Sequence, residues 1–191
     1  FTSVFAIWGW ASWRRVFEKR DEQYAFLDDA YTMRELESFA KSRKLRSDLI
    51  RMMQDHRASG KQYFESLFWS AMLLSSGMAI MPAKNLINNL GLSDESTHFS
   101  GSMKTTPKAY RRIFMMKRHE LEFPLKHPRY ILEDVEYKER LYKINCWGHP
   151  WIKIGRSLEE LFLNLRYGNF SIILKAVRKR FGKWMGTEKH V

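Results

Sequence analysis

The sequence feature that most constrains the fold is an uncharged run of eighteen residues, 66–83, between Glu65 and Lys84. As a helix this run would be roughly 27 Å long at about 1.5 Å per residue, close to the hydrocarbon thickness of a bilayer. The length favours a transmembrane helix, and a helix buried in a protein core is the alternative. Pro82 is expected to end the helix in both cases.

Small residues recur within the run at intervals of four, as in the pairs Ser66 with Ser70 and Ala71 with Ser75. In lipid, such spacing lets two helices approach closely, because packing replaces the hydrophobic effect as the driving force. The sequence therefore predicts a partner helix from another subunit. The predicted helix-packing residues are Ser66, Ser70, Ser75 and Gly77.

The rest of the chain predicts a mainly α fold. Residues 14–61 contain no proline and one glycine, Gly60, which favours long N-terminal helices. Thr32 and Glu35 have the spacing of a capping box, in which each side chain satisfies a free backbone amide at a helix start.

The C-terminal end of the chain predicts two further helices. Ser157 and Glu160 have the spacing of a second capping box, and Gly168 is expected to end the helix that they open. A final amphipathic helix follows, which would dock on its own lobe, on an anionic bilayer, or on a protein with its cations toward lipid or RNA. Its apolar stripe has steps of three and four: Phe170, Ile173, Leu174, Val177, Phe181 and Trp184.

The composition along the chain predicts four regions. These are an amphipathic helical region at 1–61, a transmembrane helix and its exit at 62–92, a polar linker at 93–107, and a basic, aromatic-rich lobe at 108–191. Residues 1–13 are an apolar segment and a candidate for membrane embedding. Residues 123–154 contain three prolines and are expected to be irregular, with aromatic side chains that cover a partner or form a small core of this lobe.

The charge of the chain predicts acidic partners. The formal net charge is +12, and residues 84–191 hold 21 basic and 11 acidic residues. Anionic lipid, cardiolipin included, and nucleic acid phosphates are the two candidates. The predicted contacts to lipid or phosphate are Arg14, Arg15, Lys175, Arg178, Lys179 and Lys183, and the predicted interface aromatics are Trp8, Trp10, Trp13, Trp147 and Trp151.

No motif in the sequence predicts a catalytic, cofactor or metal site. His119 and Glu120 begin like a zinc-protease helix, but Phe123 stands where the second histidine is needed. Cys146 and His149 supply only half of a metal site, and a single cysteine excludes an intramolecular disulfide.

These features lead to two expectations for function. The first is a non-catalytic accessory subunit of a large mitochondrial inner-membrane complex, in the respiratory chain or ATP synthase, that binds other subunits and cardiolipin. The start at Phe1 rather than at methionine fits the removal of an import presequence. The second is an RNA-associated structural protein, such as an organellar ribosome component, in which 66–83 is a core helix.

Overall fold

A computed structural model describes residues 1–4, 6, 8–40, 42–88 and 103–184, with side chains as far as residue 178. The described chain is mainly α-helical, as predicted. Its α-helices are α1 (Arg14–Phe17), α2 (Ala30–Leu36), α3 (Arg43–Ser59), α4 (Phe64–Leu74), α5 (Lys108–Phe114), α6 (Val135–Asn145), α7 (Pro150–Arg166) and α8 (Phe170–Trp184), with a 3-10 turn at Ala25–Asp28.

The chain forms two compact units. Unit 1 contains Phe1–Ile87 and Arg118–His149, and unit 2 contains Asn88–Lys117 and Pro150–Val191. The units therefore divide the chain differently from the predicted regions. In the predicted linker, residues 93–102 lie outside the described residues, and Thr106 is buried.

The helix α3 provides one wall of the core of unit 1. Its first turn is capped by Ser42 Oγ, which accepts a hydrogen bond from the Leu45 backbone N at 3.0 Å. Its last turn ends at Gly60, whose φ of +65° suits a residue without a side chain. Between these ends Leu45, Leu49 and Met53 are buried on one face, at the steps of four that are typical of an amphipathic helix.

The predicted transmembrane helix is wrong in its length. Helix α4 covers 11 residues, roughly 16 Å, which is about half of the hydrocarbon thickness of a bilayer. Among the helices that the structure describes, none has the length and apolarity needed to cross a membrane. Residues 66–72 are buried in unit 1 instead.

The chemistry of residues 75–79 explains why α4 ends early. Ser75 Oγ bonds back to the Ala71 carbonyl at 2.6 Å, and Ser76 takes a left-handed conformation with φ of +51°. The Gly77 N–H then bonds to the Met72 carbonyl at 2.8 Å and closes the helix end. The chain continues extended, and Ala79 forms an isolated antiparallel bridge with Thr2.

The region 123–154, predicted to be irregular, contains helix α6. The Asp134 side chain caps it by accepting from the Tyr137 N–H at 2.9 Å, and it ends at Cys146, which has φ of +59°. Tyr142 and Cys146 are buried, and Trp147 stacks on Trp69 with ring centroids 6.0 Å apart. Part of this aromatic region therefore belongs to the core of unit 1.

Two predicted helix starts are wrong. Asp29, rather than Thr32, caps α2, because its carboxylate accepts the Thr32 N–H at 3.1 Å. Ser157 lies inside α7, which starts seven residues earlier at Pro150; proline is well suited to a first helical turn, where its missing N–H costs no hydrogen bond. The predicted long N-terminal helices are likewise limited to α3, because α1 and α2 have 4 and 7 residues.

The predicted end of α7 and the predicted final helix are both confirmed. Gly168 has φ of +71°, and it lies in the turn that joins α7 to α8. The Asn164 side chain, 5% exposed, accepts a hydrogen bond from Asn169 Nδ2 at 3.2 Å across this turn. This hydrogen bond between two side chains stabilises the turn.

Candidate interaction surfaces

The four predicted helix-packing residues do not lie on one helix face. Ser66 and Ser70 are buried on α4, whereas Ser75 and Gly77 follow its last residue. Ser70 Oγ bonds to the Leu67 carbonyl at 2.9 Å within the helix. The two buried serines therefore belong to the core of unit 1.

Ser66 is the centre of a buried polar cluster. The Tyr24 hydroxyl oxygen lies 2.5 Å from Ser66 Oγ, and His56 Nδ1 lies 2.7 Å from the same atom. The His56 ring stacks on Tyr63 with centroids 4.0 Å apart. The Ser66 hydroxyl on α4 therefore connects this helix both to α3 and to the segment before α2.

Burial favours the neutral forms of Tyr24 and His56. It raises the pKa of Tyr24 above its ordinary value, and it lowers the pKa of His56 below 6.5, although Glu65 and Asp55 act in the opposite direction. A serine beside an imidazole is also the arrangement of a nucleophile and its base. Here Ser66 is 1% exposed, so its hydroxyl group faces the core of unit 1 rather than solvent.

Cys146 and His149, which the sequence shows as only half of a metal site, lie in the turn that follows α6. Cys146 is buried, and the His149 backbone N–H bonds to its carbonyl at 3.2 Å. Within the described ranges, no group of three or more His, Cys, Asp or Glu side chains is placed to hold a metal ion.

An aromatic surface lies at the start of the chain in unit 1. We call it the tryptophan surface. Trp13 is 55% exposed, with the Arg15 guanidinium 5.0 Å from its ring centroid. Trp10 is held in place by an edge contact to Phe68, with centroids 4.8 Å apart. The exposed residues of this surface are Trp8, Trp10, Trp13, Arg14, Arg15 and Phe17.

The other two predicted interface tryptophans have opposite environments. Trp147 packs in the core of unit 1 against Trp69 and Tyr142. Trp151, in the first turn of α7, is 81% exposed. Only Trp151 of this pair is available to a partner.

A second apolar surface lies on helices α7 and α8 of unit 2. Ile172, 42% exposed, lies on the opposite side of α8, whereas nine other large apolar side chains, between 42% and 81% exposed, share one stripe on each helix. We call them the α7–α8 apolar surface: Trp151, Ile154, Leu158, Leu161, Phe162, Leu165, Phe170, Leu174 and Val177. Sequence reasoning predicted the part of α7 that follows Ser157 and named Trp151 as an interface aromatic, but it missed the first two turns of the helix, because residues 123–154 were expected to be irregular.

The predicted cationic contacts lie beside these two surfaces. Arg14 and Arg15 are exposed on α1, and Lys175 and Arg178 are exposed on α8. Lys179 and Lys183 lie outside the residues whose side chains are described.

No family model, curated protein or solved structure matches this chain.

Proposed function

We propose that this chain is a non-catalytic accessory subunit of a large complex of the mitochondrial inner membrane, in the respiratory chain or ATP synthase. Its role is structural: it joins other subunits to each other and to anionic lipid such as cardiolipin. The tryptophan surface and the α7–α8 apolar surface make these contacts.

The observation that carries the proposal is the exposure of the α7–α8 apolar surface. A monomeric protein that leaves nine large apolar side chains open to water on two neighbouring helices is prone to aggregate. Coverage of such side chains by a partner is favourable by roughly 25 cal/mol for each Å² of apolar area removed from water. A subunit of a larger assembly has such a partner.

The charge of the chain supports an assembly at an anionic surface. A net charge of +12 on 191 residues favours contact with phosphate groups. Exposed cations stand beside both apolar surfaces, at Arg14 and Arg15 in unit 1 and at Lys175 and Arg178 in unit 2. Apolar and cationic groups side by side suit a boundary between protein and membrane lipid.

A native separation of mitochondrial complexes tests this proposal. The tagged chain should migrate in mild detergent with a respiratory complex or with ATP synthase, and mass spectrometry of the same band should identify that complex. Co-migration with a ribosomal particle, and release from it by ribonuclease, would overturn the proposal.

A second candidate function is an RNA-associated structural protein, such as an organellar ribosome component. The specific observation in its favour is that residues 66–72 lie in a protein core, as that function expects. The same cations would then neutralise RNA phosphates, and binding would weaken steeply as salt rises. Ribonuclease treatment before the native separation distinguishes the two candidates.

A further inference from the structure

Helix α7 packs with its polar side inward and its apolar side outward. Asn164 is 5% exposed, and Arg156 and Ser157 are half-buried. The Arg156 guanidinium lies 4.4 Å from the Tyr110 ring centroid. Unit 2 therefore uses mainly polar residues of α7, together with the half-buried Leu163, for its internal contacts.

The outward side of α7 is a continuous apolar stripe. At about 100° per residue, its six apolar side chains fall within an arc of about 100°. Trp151 and Phe162 are the most exposed aromatic residues of this stripe, at 81% and 60%. A stripe of this width matches the face that a helix inserts into a membrane interface.

Helix α8 adds a stripe of the same kind with cations along its border. Phe170, Leu174 and Val177 fall within about 60° of each other and are exposed. Arg178 and Lys175 follow at one edge, and both are exposed. The sequence of α8 contains five basic residues and no acidic residue.

We propose that α7 and α8 lie in the interface of an anionic bilayer, with the α7–α8 apolar surface inserted at the boundary between head groups and acyl chains. Lys175 and Arg178 contact the lipid phosphates. This inference rests on the proposed function, and it names lipid as the partner of one of the two surfaces.

Charge favours lipid over the other two classes of partner. The centre of a protein interface is depleted in lysine, whereas α8 places two cations directly beside its apolar stripe. RNA would neutralise these cations but would leave the nine apolar side chains in water. An anionic bilayer satisfies both sets of groups at once.

Flotation of the full chain with vesicles tests the proposal. Vesicles of phosphatidylcholine with about one-third cardiolipin should bind it at least tenfold more strongly than vesicles of phosphatidylcholine alone. Leu158→Glu should weaken binding to the anionic vesicles about tenfold or more, because it puts a charge in the stripe. Leu132→Glu is the matched control, because Leu132 is 73% exposed in unit 1; it should bind as the wild type does.

A charge variant and a depth measurement complete the test. The double variant Lys175→Gln with Arg178→Gln should weaken binding to anionic vesicles about tenfold and leave binding to neutral vesicles unchanged. With Cys146, the only cysteine, changed to serine, a polarity-sensitive dye at Phe162→Cys should report an apolar environment on vesicles, and at Glu160→Cys it should stay in water.

Two results would overturn the lipid assignment. One is vesicle binding by Leu158→Glu equal to that of the wild type. The other is a dye at position 162 that stays in water on vesicles but becomes buried within the native complex, which would make the stripe a protein interface and leave the proposed function standing. Failure of the proposed function would be seen separately, as co-migration with a ribosome. Circular dichroism establishes that each variant is folded.

Discussion

His56 Nδ1 lies 2.7 Å from Ser66 Oγ, and this contact joins α3 to the first residue of the uncharged run. The partner of Ser66 is thus an imidazole of the same chain, where the sequence predicted a neighbouring helix in lipid. The same Ser66 hydroxyl oxygen lies 2.5 Å from the hydroxyl oxygen of Tyr24. The consequences of this arrangement can be measured directly.

Removal of the Ser66 hydroxyl should destabilise unit 1. Ser66→Ala leaves the Tyr24 hydroxyl without its partner in a buried position, which costs about 2 kcal/mol in the free energy of unfolding. Ser47→Ala is the matched control, because Ser47 is exposed on α3; its cost should be within about 0.5 kcal/mol. Urea denaturation measures both values, and equal costs would contradict the role of the cluster.

The stability of unit 1 should fall as the pH drops below neutral. Burial lowers the pKa of His56 below its ordinary 6.5, so the unfolded chain takes up a proton before the folded chain does. The free energy of unfolding should therefore be highest above pH 6.5 and decrease as the pH falls from there toward the pKa of the folded state. Urea titrations at a series of pH values measure this slope.

Two variants assign the slope to His56. His56→Gln should flatten it, whereas His127→Gln, at an exposed histidine, should leave it as in the wild type.

Glu133 affects stability in a different pH range from His56. Burial alone would raise its pKa, but hydrogen bonds from Lys138 and Ser3 outweigh that effect and lower the pKa below 4.5. Its contribution to stability is lost only as the pH falls below that value. A slope that survives His56→Gln above pH 5 (roughly one unit over a normal carboxyl) would contradict the assignment.

Two glycines with the same backbone conformation should respond differently to alanine. A Cβ atom on Gly148 would lie 2.8 Å from Leu45 Cβ, whereas a Cβ on Gly60 would meet nothing within 4 Å. Gly60→Ala should cost only the left-handed conformation, about 1 kcal/mol. Gly148→Ala should cost about 2–4 kcal/mol, because the steric clash adds to the same strain. Thermal unfolding compares the two, and similar melting temperatures would contradict the close approach of the residue 146–149 turn to α3.

The sequence predicted those helices whose signals are local. Steps of three and four between apolar residues predicted the whole of α8, and Gly168 marked the turn between α7 and α8. These signals depend on neighbours within one or two helical turns. The cation positions on α8 followed from the same periodicity.

The features that the sequence did not predict depend on distant contacts or on competing local signals. The absence of charge in 66–83 is equally compatible with lipid and with a protein core, because both exclude water. Tyr24 is 42 residues from Ser66 in the chain, and His56 is on a different helix from Ser66, so no local spacing predicts that their polar atoms meet. For α7, the apolar steps from Trp151 to Leu165 were present in the sequence, but Pro150 was taken as a break, although proline also starts helices.

The tryptophan surface should separate folding from assembly. Trp10 packs edge-on against the buried Phe68, whereas Trp13 is 55% exposed and contacts Arg15 only at the surface. Trp10→Ala should therefore lower the free energy of unfolding by about 1–2 kcal/mol. Trp13→Ala should change it by less than about 1 kcal/mol.

If this surface binds another subunit, Trp13→Ala should nevertheless weaken incorporation into the native complex about tenfold or more, because exposed tryptophans are frequent hot spots of protein interfaces. Competition between tagged wild-type and variant chains for the complex measures that loss. Tyr31→Ala, at a residue that is 64% exposed elsewhere in unit 1, is the control that should assemble normally. Equal incorporation of Trp13→Ala and Tyr31→Ala would remove the tryptophan surface from the interface.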